Sequence, residues 1–156
     1  MLASLTQTAM LFAILSSVFC LMKSIILSIR PFFTEAILDG RKAIELRKRI
    51  GELFVENTKI FIYSSSPVKA IVAEAKISCI QKKAPSDVEI DLLEKACVDR
   101  EYFDEYFKKS SMAYLIYLKE VKKLDIPIPI VKLRQLGITP PQSFCYVNDF
   151  ILNKRN

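Results

Sequence analysis

Histidine is absent from the 156 residues, which removes a Ser-His-Asp triad, a Cys-His dyad, a His-ligated metal site and an imidazole acid/base. Any catalysis must run on Lys, Asp, Glu, Tyr, Ser, Thr or Cys. Glycine numbers only 3, proline 7 and cysteine 4, which excludes collagen-like, disordered and disulfide-stapled chains. Cys20 lies in an apolar leader, and Cys79, Cys97 and Cys145 form an odd set in the body without CxxC spacing. Neither a zinc site nor a disulfide framework is encoded, as suits a cytoplasmic domain. Each thiol reads as a small buried apolar residue rather than a nucleophile, because reactive thiolates need an electropositive niche. No cofactor or metal is expected.

Charge is also missing from one place: the first 22 residues carry none. Their apolar run, Ala9 to Met22, falls short of the roughly 20 residues that comfortably span a bilayer. A secretory signal would need a basic region before the run and a small-x-small site after it, and neither is clear. Three readings of residues 1–22 stand: translation starting at Met22, a membrane anchor that would tether the domain, or a buried helix. Residues 23–152 form the expected domain, and residues 153–156 a basic tail.

What remains is a chain that should fold, with 51% hydrophobic and 26% charged residues, a length sufficient for one core and too short for two. Lys and Arg number 23 against 17 Asp and Glu, a net charge of +6. The sequence pI is near 9.1. A basic domain of this size favours polyanionic partners, through release of condensed counterions, or is simply soluble.

Ser24 to Ile29 is short, β-branched and apolar, a buried strand stopped by Arg30-Pro31. Pro31 suits the first turn of a helix through Asp39, with Phe32, Ala36 and Ile37 on one side and Gly40 as its stop. In Lys42 to Lys48, Ala43 and Glu45 alternate with Ile44 and Leu46, the pattern of a half-buried strand. Lys59 to Tyr63 and Val68 to Ile80 are further strands, separated by a Ser-rich turn ending in Pro67. Helical spacing follows at Val88, Leu92, Leu93 and Ala96, then at Tyr102, Phe103, Tyr106 and Phe107, an aromatic stripe that reads as core packing. Met112 to Leu124 is a long strand that Asp125 to Pro129 should end, before a helical turn, Ile130 to Leu136, and a last strand, Cys145 to Val147. About five to six strands with short helices describe an α+β fold, a small mixed β-barrel whose helices plug its ends.

One stretch concentrates charge. Gly40 to Arg49 holds Arg41, Lys42, Arg47, Lys48 and Arg49 around a single carboxylate, Glu45. Because these charges alternate with Ile44 and Leu46, several are held on a fixed surface, which a specific site requires. Glu45 shares a strand face with Ala43 and Arg47. If that face looks into a cleft it makes a polar site, and otherwise a salt-bridged surface.

Leu27-Ser-Ile-Arg-Pro31, Ala36-Ile-Leu-Asp-Gly-Arg-Lys42 and Ile44-Glu-Leu-Arg-Lys-Arg49 together resemble the opening signature of the ASCH domain, a PUA-like β-barrel. Ile71 to Ala75, Ala113 to Tyr117, Pro127 to Pro129 and Pro140 to Phe144 fit the same family in order. The resemblance runs from about Lys23 to Val147 and implies a cleft lined by the Gly-x-Lys strand and a role in RNA binding or RNA-linked regulation. In some small members it implies hydrolysis of N4-acetylcytidine by a Lys, a Thr three residues on, and a Glu on a later strand. Lys42 matches the first, Glu45 replaces the Thr, and Glu74 is the nearest match to the third.

The leading expectation is a monomeric binding module for RNA or a modified nucleoside. Arg30, Lys42, Arg47 and Lys48 would contact phosphates or a base edge, and Glu45 would accept from an exocyclic amine. Tyr63 or Tyr146 would either stack a base or belong to the core. The enzymatic alternative is an amidohydrolase using Lys42 and Glu74. All of these rest on the cationic corner opening onto the hollow of a closed barrel.

Overall fold

A computed structural model describes residues 7–11 and 23–153. Residues 7–11 are helical and exposed. The rest of the leader and residues 154–156 lie outside the described residues, and with them the readings of residues 1–22 and nearly all of the basic tail. No helix among the described residues is long and apolar enough to cross a membrane.

The domain runs β1 (Lys23–Ile29), α1 (Pro31–Leu38), β2 (Ile44–Arg47), β3 (Lys59–Ser64), β4 (Ala70–Lys83), a single 3-10 turn, α2 (Ile90–Lys95), α3 (Arg100–Phe107), β5 (Ala113–Pro129), α4 (Ile130–Gln135), β6 (Phe144–Asn148) and α5 (Asp149–Asn153). The six strands form one mixed sheet in the order β2-β5-β4-β3-β1-β6. Only β1 and β3 run parallel; the other pairs are antiparallel.

The expected α+β fold of six strands and short helices is present, but the barrel is not closed: β2 and β6 are free edges. The reason lies in β2. It is four residues long, and past its pairing with Tyr114 to Tyr117 the β5 edge goes on alone. The sheet nonetheless curls until Arg47 on edge strand β2 reaches the backbone of Ser28 on β1, where its Nη2 donates to the Ser28 carbonyl at 2.6 Å. A side chain spans the seam that a backbone ladder would otherwise fill.

Strand alternation sorts the core into three clusters. Ile25, Leu27, Ile60, Ile62, Ala73, Ala75 and Ile116 fill the inner face of the curl. Ile26, Phe61, Leu124, Ile128 and Val147 pack on the outer face under α4 and α5. Ile44 and Leu46 on the outer face of β2 meet Leu92, Leu93, Phe103 and Phe107 from α2 and α3. Burying side chains of this size is worth roughly 1.5–3 kcal/mol each before entropy is counted.

Helix α1 begins at Pro31 and ends before Gly40, whose φ of +78° is the left-handed conformation a glycine takes at no steric cost. Its buried residues are Thr34, Ala36 and Ile37, while Phe32 is 61% exposed, so the expected apolar stripe includes Phe33 in place of Phe32. Strand β5 does not stop at Leu124 but continues to Pro129. Between Ile71 and Ala73 the register of β4 skips from Ile128 to Lys123 on β5, so Leu124 to Pro127 bulge out of the ladder. A proline is tolerated there because no partner strand calls for its missing N–H. The cysteines are less buried than expected: Cys79 is exposed, and Cys97 and Cys145 are intermediate. Cys79 lies among the β4 register shifts, which turn it away from the core.

Candidate functional site

The cavity at the seam follows from the alternation in β2. Ile44 and Leu46 anchor the outer face, so Glu45 and Arg47 must point to the inner one, and Glu45 sits in register with inner-face Ile116. Where the strands part they open on a hollow of about 250 Å³, lined among others by Ser28, Arg30, Phe33, Lys42, Glu45 and Arg47, with Tyr102, Tyr106 and Gln142 on its far wall. The cationic corner therefore does open inward, although the sheet around it is not closed.

The centre of the hollow is a buried ionic triad. Lys42 Nζ lies 3.3 Å from one oxygen of Glu45, and Arg47 Nη2 lies 3.1 Å from the other. The side chains of Lys42, Glu45 and Arg47 are 2%, 9% and 10% exposed. Lys42 also donates to the Ala96 carbonyl at 2.6 Å, and its Nζ stands 4.7 Å from the centroid of the Phe33 ring. Arg47 donates through Nη1 to Ser143 Oγ at 3.3 Å in addition to Ser28. Its Nε–H is buried and has no hydrogen-bond partner among the described residues. Glu45 is the sole acid among the lining residues, so two buried cations face one carboxylate and Arg30 adds a third charge at the mouth. An uncompensated buried cation is costly, and an anion entering the hollow would offset that cost.

Aromatic side chains form the far wall. The rings of Tyr102 and Tyr106 are parallel within 9° and 6.4 Å apart. Lys48 Nζ lies over the Tyr106 ring at 4.4 Å. Burial pushes the Tyr106 phenol above its ordinary pKa, so it stays neutral and offers an uncharged π face. Asp99 holds this wall in place by capping α3, its carboxylate accepting from the Tyr102 backbone N–H at 2.7 Å.

The structure thus brings together Arg30, Lys42, Glu45 and Arg47, with Lys48 against the aromatic wall. It does not bring in Glu74. In register opposite Phe61, Glu74 belongs to the outer face, lines a separate cavity beside Lys122 and Ile128, and pairs with Lys59 at 3.3 Å. A Lys42–Glu74 pair is therefore not assembled, because one residue of strand phase decides the face. Tyr63 is buried in the outer cluster. Tyr146 is half-buried, its Oη accepting from the Leu53 N–H at 3.3 Å. Neither lines the hollow. Arg41 is exposed and paired with Asp39 at 2.7 Å.

Tyr102 and Tyr106 were expected in the core with Phe103 and Phe107. The two phenylalanines are, at 0% and 2% exposure; Tyr106 is half-buried and packs against the same cluster, and Tyr102 alone is exposed. The signal was present: two tyrosines and two phenylalanines on adjacent i, i+4 stripes, of which only the tyrosines carry a polar tip. Ser28, Gln142 and Ser143 lie in segments that carry the family resemblance but were not singled out within them, and Phe33 had no comparable signal. Among the described residues no group of three or more His, Cys, Asp or Glu is placed to hold a metal ion.

A curled mixed sheet, with a polar hollow behind the strand that follows the first helix, defines an α+β domain of the ASCH/PUA-like type. Residues 22–136 match the family described as Domain of unknown function (DUF365), and the chain belongs to that ASCH-type family. It is 26% identical over 127 residues to an ASCH domain-containing ribonuclease of Zymomonas mobilis subsp. mobilis, a match covering 80% of this chain and 84% of that protein. The crystal structure of ASCH from Zymomonas mobilis superposes with a TM-score of 0.77 at 24% identity, over 84% of this chain and 92% of that one. The N-terminal domain of Staphylothermus marinus McrB shares the fold more distantly, with a TM-score of 0.52 at 16% identity over 85% and 94% of the two chains.

Proposed function

We propose that the hollow is an RNA site that takes one nucleotide of a single strand, with the flanking chain lying across the mouth. The observation that carries this reading is the ionic lining itself: Arg47 and Lys42 are buried in a hollow whose lining carries excess positive charge, and the Arg47 Nε–H has no acceptor among the described residues. Phosphate oxygens are acceptors without donors, the complement of that lining. At about 250 Å³ the hollow lies near the lower end of ligand pockets, suiting a single unit and not a folded duplex. On this reading Arg30 and Lys48 meet phosphates, Tyr102 and Tyr106 face a base, and Glu45 accepts from an exocyclic amine. The ribonuclease name of the Zymomonas relative supports RNA as the partner class.

The test is a salt series of binding to a labelled single-stranded RNA. Affinity should fall steeply with salt, by about 0.7 in log–log slope for each phosphate neutralised. Binding that ignores salt, or no binding at low salt, would end the proposal.

Cleavage is a second reading, favoured by the relative's name and by a carboxylate held between two cations. Incubating the same RNA with the protein and resolving the products separates it from binding alone. Deacetylation of an N4-acetylcytidine would need Glu45 in place of Glu74 as the partner of Lys42, and acetate release from that nucleoside tests it.

A further inference from the structure

The two buried cations of the hollow are not equivalent. An ammonium has three protons to place. Around Lys42 Nζ, the Ala96 carbonyl accepts a hydrogen bond at 2.6 Å, the Glu45 carboxylate forms an ion pair at 3.3 Å and the centroid of the Phe33 ring stands 4.7 Å away. Ala96 is the C-cap of α2, where helix carbonyls lack intrahelical donors and carry partial negative charge. The backbone on either side is clamped too: the Lys42 N–H donates to Ala36 at the end of α1, and the Ala43 N–H to Lys95 at the end of α2. Lys42 is thus the C-terminal cap of one helix and the bracket of another.

Arg47 keeps donors in reserve. A guanidinium has five. Nη2 donates to Ser28 and ion-pairs with Glu45, Nη1 donates to Ser143, and the Nε–H has no acceptor among the described residues.

We infer that Lys42 is a positioning residue that never touches the ligand, acting through Glu45 and the α2 terminus, while Arg47 is the buried cation that meets the ligand's anionic oxygen. The inference rests on the reading of the hollow as an RNA site, and it reverses the ligand-contacting role that the sequence pattern gave to Lys42.

Amine acetylation of the full-length protein, read by peptide mass spectrometry with and without single-stranded RNA, tests it with no substitution. Lys48 should acetylate and be protected by RNA, and Lys42 should stay unmodified in both samples. Acetylation of Lys42 in the free protein, with protection by RNA, overturns the inference.

The second arm compares Lys42→Met in the native and Glu45→Gln backgrounds, with folding checked by thermal melts. If Lys42 works through Glu45, its loss weakens RNA binding in the first background and changes it less than about two-fold in the second, with an unchanged salt slope in both. Arg47→Met should instead lower the slope by about 0.7. An equal loss of affinity and slope from Lys42→Met in both backgrounds means direct contact and overturns the inference. A native protein that binds no RNA ends the functional proposal, and the acetylation result on the free protein still decides whether Lys42 is engaged or free.

Discussion

Glu45→Gln isolates the charge balance of the hollow, because it keeps the side chain's shape and removes only its charge. In the native protein Glu45 lies 3.3 Å from Lys42 Nζ and 3.1 Å from Arg47 Nη2. At an effective dielectric of about 20, each contact carries roughly 5 kcal/mol of attraction before desolvation is subtracted. What matters for stability is what the substitution leaves behind: two buried cations with no other acid in the lining. Breaking a buried pair in this way typically costs about 3–5 kcal/mol. Here the lower end applies, about 3 kcal/mol, since Lys42 keeps Ala96 and Arg47 keeps Ser28 and Ser143. For a chain of this size that corresponds to a fall in Tm of about 6–12 °C. Thermal and urea unfolding at neutral pH and low salt measure it. Inorganic phosphate, added in increasing amounts, should raise the Tm of the variant more than that of the native protein, because the repelling carboxylate is gone. Saturation to a hundred times Kd returns about 2.7 kcal/mol. A variant that melts within 2 °C of the native protein, or a phosphate response equal in both (the 2 °C bound being about one kcal/mol or less), refutes the reasoning that the hollow holds uncompensated positive charge.

Three further outcomes are expected. Gly51→Ala would drive a Cβ into Tyr146 Oη and bring it to 3.2 Å from Phe144; the clash should cost about 1–3 kcal/mol in urea unfolding, and adding Tyr146→Phe should recover part of it. Asp99→Ala removes the cap of α3 and should cost about 1 kcal/mol, with a loss of RNA affinity as the Tyr102 and Tyr106 wall loosens, readable in melts and in binding. Lys83 holds the exposed Glu89 carboxyl below its ordinary pKa through a direct hydrogen bond, so Lys83→Met should move the Glu89 titration upward in carbon-detected NMR. The sign follows for stability: the pair's contribution is present above the ordinary carboxylate pKa and fades as pH falls through the lowered one, so native and variant proteins should converge in acid.

Much of the fold was legible because it is written in local periods. Ile44 and Leu46 alternating with Glu45 and Arg47 specified a strand with one apolar and one charged face, although the structure buries both faces and not one, and Pro31 and Gly40 bracketed the first helix. The end of β5 was not legible, because Pro127 normally breaks a strand and only the neighbouring bulge and open edge make it harmless. Glu74 was placed in the wrong hollow for a related reason: its strand was recognised, but which face it takes depends on the register against Phe61, a partner chosen by the whole sheet. The tyrosine wall was missed because i, i+4 spacing reports that residues share a helix face and not what that face meets.

The sequence by itself determined the element types, the absence of imidazole chemistry, and the cluster of cations around one carboxylate after the first helix. Tertiary structure decided everything that makes the cluster a site. The curl of the sheet brings Arg47 to Ser28, 19 positions away, and to Ser143, 96 positions away. The end of α2 supplies the carbonyl that occupies Lys42. Such convergence is invisible to local pattern, because it is set by strand order and by a seam that a four-residue edge strand leaves unladdered. A buried charge takes its role from the partners that folding gives it, and those partners come from distant parts of the chain.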